Sequence, residues 1–447
     1  MIKTATRPAP HPASHPAPHR YVASLLAGST AVPKSPAAWL EARRAAALER
    51  ANVLAVPTTR DEEWRFTDLT PLIKLPFQPM TAAATVSAAD IAEYAVAEAA
   101  VRLVFVDGIY APALSQRGPL PAGITVELLA DGLKNHDALI EPHLTRLVNA
   151  ENDLFAALNT AFLHHGVFIH AAKNAALKQP IHLLFVATRK GVAVYPRVLI
   201  VAETGSECSA IEDYVALGDE AYLTNAVTEV VVAPNASVRH IKLQRESDQA
   251  FHIGSCAVTL AKDARYLAHA VTFGARLSRN NLTVTQQGEG AHAQIDGIAL
   301  IGGRQLADTH TLMDHTQPHG TCEQSHKTIV AGAGHAVFNG KVFVRQGAQQ
   351  TDSSQQSRNL LLSDQAHVDT KPQLEIFADD VKCAHGATVG QLDADHLFYL
   401  KSRGLPEAQA RNLLTYAFGA EIIDRIPVPS LVAQLEKSVM ARTEVAS

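Results

Sequence analysis

Cys383 and His385 stand one residue apart in the run Leu374-Glu-Ile-Phe-Ala-Asp-Asp-Val-Lys-Cys-Ala-His-Gly-Ala-Thr-Val-Gly390. Leu374 and Ile376 alternate with Glu375 and Phe377, which predicts a strand with two different faces. Asp379 and Asp380 interrupt it, and a second short strand carries Val381 and Cys383. If that strand stays extended through His385, the thiol and the imidazole project from one face, because residues i and i+2 share a side. Such a pair suits iron, copper or zinc. Two ligands fall short of the four that a structural zinc takes, so the others must come from elsewhere in the chain or from another chain. The competing reading is a cysteine that merely packs.

A second collection lies at Asp308, His310, Asp314, His315, His319, Cys322 and His326. Its composition suits a metal, but its spacing matches no zinc signature, and histidines in turns also bond the backbone. Gly334-His-Ala-Val-Phe-Asn-Gly-Lys-Val342 imitates a phosphate loop. Five residues separate its glycines where four are needed, and Val342 replaces the Ser or Thr that would reach magnesium. No Gly-x-Ser-x-Gly elbow offers a nucleophile. Asp379 and Asp380 resemble the acids of carbohydrate-cleaving β-helices, but neighbours on a strand face opposite ways and cannot converge. An enzyme is therefore not expected, and the polysaccharide-active reading stands only as a rival.

The elements that carry these residues belong to a chain of 447 residues, 47% hydrophobic, with 39 basic against 44 acidic side chains. That is ample for a large core, and its slightly acidic balance argues against nucleic acid or an anionic membrane as partner. No apolar run approaches the ~20 residues of a membrane span, so a cytoplasmic protein is expected. Cys208, Cys256, Cys322 and Cys383 are scattered without a C-x-x-C pair, which fits a reducing compartment. They do not suit a cluster held within one chain, because clusters usually take four thiolates.

Residues 1–20, rich in Pro, Ala and His, read as a disordered tail in which His11, His15 and His19 would gather metal only adventitiously. Residues 21–165 read as a mixed N-terminal region, with a helix starting at Ser35-Pro36. Residues 166–390 change to short strands broken by Gly, Asn and Asp. Small polar triplets centred on 207, 236, 264, 291, 335 and 366 recur at 27 to 31 residues with one interval of 44. A period near 28 predicts a solenoid, with a β-sandwich as the alternative. Residues 391–447 read as helical. Asp393 caps a helix ending at Gly404, and Ala410, Leu413, Leu414, Ala417 and Phe418 form an apolar stripe on the next.

The runs Asn359-Leu-Leu-Leu-Ser-Asp, Lys371-Pro-Gln-Leu-Glu-Ile, Asp380-Val-Lys-Cys-Ala-His-Gly-Ala-Thr-Val-Gly and Leu397-Phe-Tyr-Leu-Lys-Ser-Arg-Gly404 resemble the C-terminal signature of the SufB/SufD family of iron–sulfur cluster assembly scaffolds. Asp308-Thr-His-Thr-Leu-Met-Asp-His315 and Glu63-Trp-Arg-Phe-Thr-Asp68 extend the resemblance over most of the chain from about residue 35. Cys-x-His-Gly resembles the SufD branch, since SufB has Glu directly after the His. The resemblance implies a mainly β protein, a right-handed parallel β-helix flanked by an N-terminal α/β region and a C-terminal helical domain. It further implies pairing with a SufB-like subunit, or a homodimer in isolation. A SufC-like ATPase would dock on the C-terminal helices around Leu397, Phe398, Leu413, Leu414 and Phe418. ATP would be bound by that partner, and reduced flavin would act in the whole complex. His385, with Cys383 beside it, would then be a ligand to a transient iron–sulfur cluster shared with the partner. A purely structural subunit, with no ligand role, is the alternative.

Overall fold

The computed structural model describes residues 19–80 and 82–446. Of the expected tail at residues 1–20, residues 1–18, with His11 and His15, lie outside them. His19 lies inside and caps the helix Arg20–Leu26, its Nδ1 accepting the Tyr21 N–H at 3.2 Å.

Between Gly166 and Gly390 the chain winds through two parallel sheets, a β-solenoid of about eight turns. The expected class, mainly β with helical regions at both ends, is the one observed. Strands beginning at 207, 237, 265, 292, 321, 351 and 381 stack in the first sheet. Those beginning at 197, 223, 251, 277, 306, 335 and 367 stack in the second. Each position therefore meets its equivalent one coil away. Ile200, Val230, Val258, Val284, Met313 and Val342 form one such inner column, and all six are fully buried. Burial of each contributes on the order of 1.5–3 kcal/mol.

One corner sets the repeat. Gly205, Asn235, Asp263, Gly290, His319 and Gln350 all have φ between +54° and +70°, a region that Gly, Asn and Asp enter at least cost. Their N–H groups bond the next coil, as in Asn235 to the Lys262 carbonyl, Asp263 to Glu289 and His319 to Gln349. The predicted triplets follow this corner through 207, 236, 264 and 291. They then miss it, because His319 and Gln350 stand there in place of Gly, Asn or Asp, and resume at Gly334 and Gln365 in front of second-sheet strands. The interval of 44 is a coil and a half.

Each helical region covers the outer face of one sheet. Tyr21, Leu25, Leu69, Phe77 and Phe155 pack on Leu223, Phe251 and Leu277 of the second sheet. Ile422, Ile423, Leu431 and Leu435 pack on Ile241, Leu243, Ile298 and Ile329 of the first. The expected helix start at Ser35-Pro36 moves to Ala38–Val53, with Ala37 at the cap. Ser35 still serves it, accepting from the Ala37 N–H while its own N–H donates to Glu41. Asp393 caps the helix Ala394–Ser402 by accepting from Asp395 and His396, and Gly404 ends that segment at φ +94°.

The apolar stripe expected on the next helix, Glu407–Ile423, is corrected. Its buried face carries Ala410, Asn412, Thr415, Gly419, Ile422 and Ile423, while Leu413 and Ala417 face outward. Small residues win the inner face because the helix approaches closely. A Cβ on Gly419 would sit 3.0 Å from Ile298 Cδ1. No described helix is long and apolar enough to cross a membrane.

Met313→Ala, which empties one rung of the buried column, is expected to lower stability by about 2–5 kcal/mol. Phe398→Ala, at an exposed position, should stay within about 0.5 kcal/mol of the parent. Urea denaturation midpoints of the two variants test the difference.

Candidate metal centre at the open end of the solenoid

The final strand, Val381–Gly390, bonds Thr351–Leu361 on one edge and no strand on the other among the described residues. It runs unbroken through Cys383 and His385, so both side chains lie on the inner face. Cys383 continues the inner column of Cys322 and Ser353 and packs against Val342, Val344 and Ala378. His385 stands over Gln355 and is exposed. It borders a cavity of about 270 Å³ shared with Ser354, Gln355, Arg358 and Thr388. The Gln355 amide is buried with neither its oxygen nor its nitrogen hydrogen-bonded. Burial pushes the Cys383 thiol above its ordinary range, and the nearby Asp352 carboxylate adds to the effect. A metal taken up here would have to displace that proton, which favours the His385 imidazole as the readier ligand. No third ligand-type side chain gathers with this pair among the described residues.

The residues from 308 to 326 do not converge. Asp308, His310, Asp314 and His315 lie on a second-sheet strand, and Cys322 and His326 on a first-sheet strand. Asp314 pairs with Arg345, and His315 lies 2.7 Å from Gln286 Oε1. His319 is a corner residue. His326 packs on Phe338, and burial pulls its imidazole down to about 3. The acid pair is likewise apart from any site: Asp379 and Asp380 are exposed in the bend before the final strand, where the Asp380 carbonyl accepts the Gln350 N–H.

Asp308 and His310 instead bind the segment Glu63–Asp68 from the other end of the sequence. Arg279 Nη1 donates to Asp308 Oδ2 and to the Glu63 carbonyl, each at 2.6 Å, and its guanidinium lies 4.0 Å from the Trp64 ring centre. The Thr67 hydroxyl also donates to Asp308, at 2.6 Å, and His310 reaches Asp308 at 3.0 Å and Glu63 at 3.3 Å. This cluster is a clasp, and nothing in either stretch alone announces the other.

Of the proposed docking residues, Phe398 is 73% and Leu413 43% exposed, while Leu397, Leu414 and Phe418 are half-buried. Phe418 already serves the solenoid, with Lys327 Nζ 4.6 Å above its ring and bonded to its carbonyl. Tyr399, which sequence reasoning left out, is also exposed.

The model of the SufBD protein N-terminal region matches residues 18–183, and that of the SUF system FeS cluster assembly SufBD core domain matches residues 185–418. The chain belongs to the SufBD family. It is 40% identical to an iron–sulfur cluster assembly SufBD family protein of Synechocystis, with 90% of each chain covered. It is 34% identical to the iron–sulfur cluster assembly protein SufD of Escherichia coli, over 85% of this chain and 88% of that protein. The protein SufD of Bacillus subtilis is 26% identical over 89% of this chain and 92% of its own. SufBD membership thus matches the resemblance carried by the C-terminal runs.

This SufBD chain also holds a buried polar network that its sequence did not reveal. Glu212 accepts from the Tyr214 hydroxyl at 2.5 Å, the Thr228 hydroxyl at 2.6 Å and His240 Nε2 at 2.8 Å. His240 Nδ1 lies 2.8 Å from the Tyr266 hydroxyl and 3.9 Å from Cys256 Sγ. Burial would raise the Glu212 carboxyl, but these partners, His240 first, outweigh it and hold it at about 2. Burial likewise opposes the His240 charge, yet Cys256 and Glu212 push the imidazole up to about 10. Apart from Glu212 and Tyr214, the residues come from different strands on inner positions of the coils, so no local pattern marks the network.

The pH dependence follows from those signs. The contribution of His240 is complete below its ordinary value of 6.5 and fades as pH rises towards 10. That of Glu212 is complete above 4.5 and fades as pH falls towards 2. Glu212→Gln should cost about 3–5 kcal/mol between pH 4.5 and 6.5, by leaving a buried charge unpaired. The deficit should shrink steadily up to pH 9.5. Urea midpoints of both proteins across that range test the ion pair, which a constant deficit would rule out.

Proposed function

We propose that this chain is the SufD-like half of a two-subunit scaffold on which iron–sulfur clusters are assembled, with the cluster as cargo rather than a resident cofactor. The observation that carries the reading is an incomplete ligand pair on a strand with one edge unpaired among the described residues. Cys383 and His385 lie where the solenoid stops, and the site needs further ligands that a second subunit can bring. A SufB-like subunit is the partner in this reading, joined through the open sheet ends, and His385 is the ligand this chain contributes. Family membership and relatives named for iron–sulfur cluster assembly support that context.

A SufC-like ATPase would dock on the C-terminal helices, where Phe398 and Leu413 lie uncovered. Phe398 and the adjacent Tyr399 are both exposed, and paired aromatic side chains of this kind suit the centre of a protein interface. ATP would be bound by that subunit, and the reading assigns neither ATP nor flavin to this chain. It makes the chain a scaffold subunit and not an enzyme.

The deciding experiment co-expresses the complex and compares wild type with His385→Ala by visible absorbance after anaerobic purification. Gel filtration of the same samples checks assembly. The expected result is an intact complex with its cluster absorbance lost. An unchanged cluster would leave this chain a purely structural half. Phe398→Asp should abolish co-purification of the ATPase while leaving the scaffold pair together, and retention of the ATPase would move the docking surface elsewhere.

A further inference from the structure

Two histidines and an aspartate outside the Cys383–His385 pair meet on the outer face of the second sheet, at its open end. His335 and His367 begin adjacent strands and stand opposite each other in register. Asp369 follows His367 by two residues, on the same face of the outermost strand. Ala336 and Val368, which alternate with them, pack into an apolar cluster with Ala307 and Val330. His335 Nε2 lies 2.8 Å and His367 Nε2 3.3 Å from a single atom, Asp369 Oδ2. All three donor atoms fall within 4.8 Å of one another.

The two distances to Asp369 Oδ2 are close to those between neighbours in a coordination shell. Bonds of about 2.1 Å set neighbouring ligand atoms roughly 3.0 Å apart in an octahedron and roughly 3.4 Å apart in a tetrahedron. The three side chains are 28%, 65% and 26% exposed, so an ion can enter and further positions stay open to solvent. The next residue on this face, Lys371, is bonded to Glu62 at 2.8 Å, which leaves Asp369 to the imidazoles. One carboxylate oxygen facing two imidazole nitrogens is better used by a shared cation than by two competing N–H groups. Binding would shift each imidazole proton to Nδ1.

We propose that His335, His367 and Asp369 bind a divalent transition-metal ion of the zinc and iron(II) class, at a site separate from the cluster pair. Two imidazoles and a carboxylate form a borderline donor set that suits these ions over calcium or magnesium. The strand spacing makes the site, since neither strand holds more than two of its ligands.

The test uses the full chain with His11, His15 and His19 replaced by Ala, so that the tail cannot contribute. Zinc chloride is titrated by calorimetry, and cobalt(II) is added for its visible d–d bands. The expected result is one zinc per chain in this parent. Affinity should fall by roughly 100-fold or more in His335→Ala/His367→Ala, beyond what outer-shell changes usually cause, and the cobalt bands should be lost. His396→Ala, at an exposed histidine on the helix Ala394–Ser402, should bind as the parent does. Circular dichroism checks the fold, and His367→Gln, at the most exposed ligand, repeats the test if the double variant fails to fold. Equal zinc affinity with and without these side chains, or no uptake by the parent, would overturn the proposal.

Discussion

A parallel solenoid satisfies its backbone only through the neighbouring coil, so its hydrogen-bond ladders must be closed at both ends or left open. At the beginning each is extended by a strand from outside the solenoid. Val101–Val106 adds to the first sheet, and Ile124–Leu128 lies antiparallel against the second. At the other end His367–Ile376 and Val381–Gly390 are the outermost strands, and among the described residues no strand pairs beyond them. Unpaired edges of this length invite another chain. They are also where inner columns that are packed elsewhere surface, which is why Cys383 and His385 can be reached at all. Fold and candidate chemistry share that one constraint.

Charge inside the solenoid obeys the same geometry. Stacked coils place equivalent positions about one strand spacing apart, so a polar residue in an inner column needs its partner on a neighbouring coil or across the interior. Glu212 and His240 meet in that way. On the outer face, Arg279, Asp308 and His310 hold the segment around Trp64 across more than two hundred residues of sequence. Buried ion pairs add little net stability, and their best-attested use is to fix register. Here the clasp fixes where the N-terminal segment crosses the second sheet, beside the coils that carry His335 and Asp369.

What could be read from the sequence follows how local the signal is. The strand through Cys383 and His385 was legible because alternation is a two-residue pattern. The coil length was legible wherever the corner held Gly, Asn or Asp, and failed where His319 and Gln350 take the same conformation. The helix cap at Asp393 was visible, but the buried face of Glu407–Ile423 was not. Hydrophobicity pointed to Leu413 and Leu414, whereas close approach to Ile298 selected Gly419. The clasp, the Glu212–His240 pair and the His335–His367–Asp369 group were illegible for one reason. Each is assembled by register between coils, and no window of sequence contains it.

The scaffold reading also explains why a poor site is useful. Four good ligands on one rigid chain would hold a cluster too tightly for it to be passed on. Splitting the ligands between two subunits makes affinity depend on their alignment, since each half alone offers too few donors. The thiol of Cys383, held above its ordinary range by burial, adds a proton that must leave before it can bind. Occupancy would then respond to small movements at the open sheet ends, the place where a partner subunit would sit. A site completed only by association is also emptied by separation, and that is the property a transfer scaffold requires.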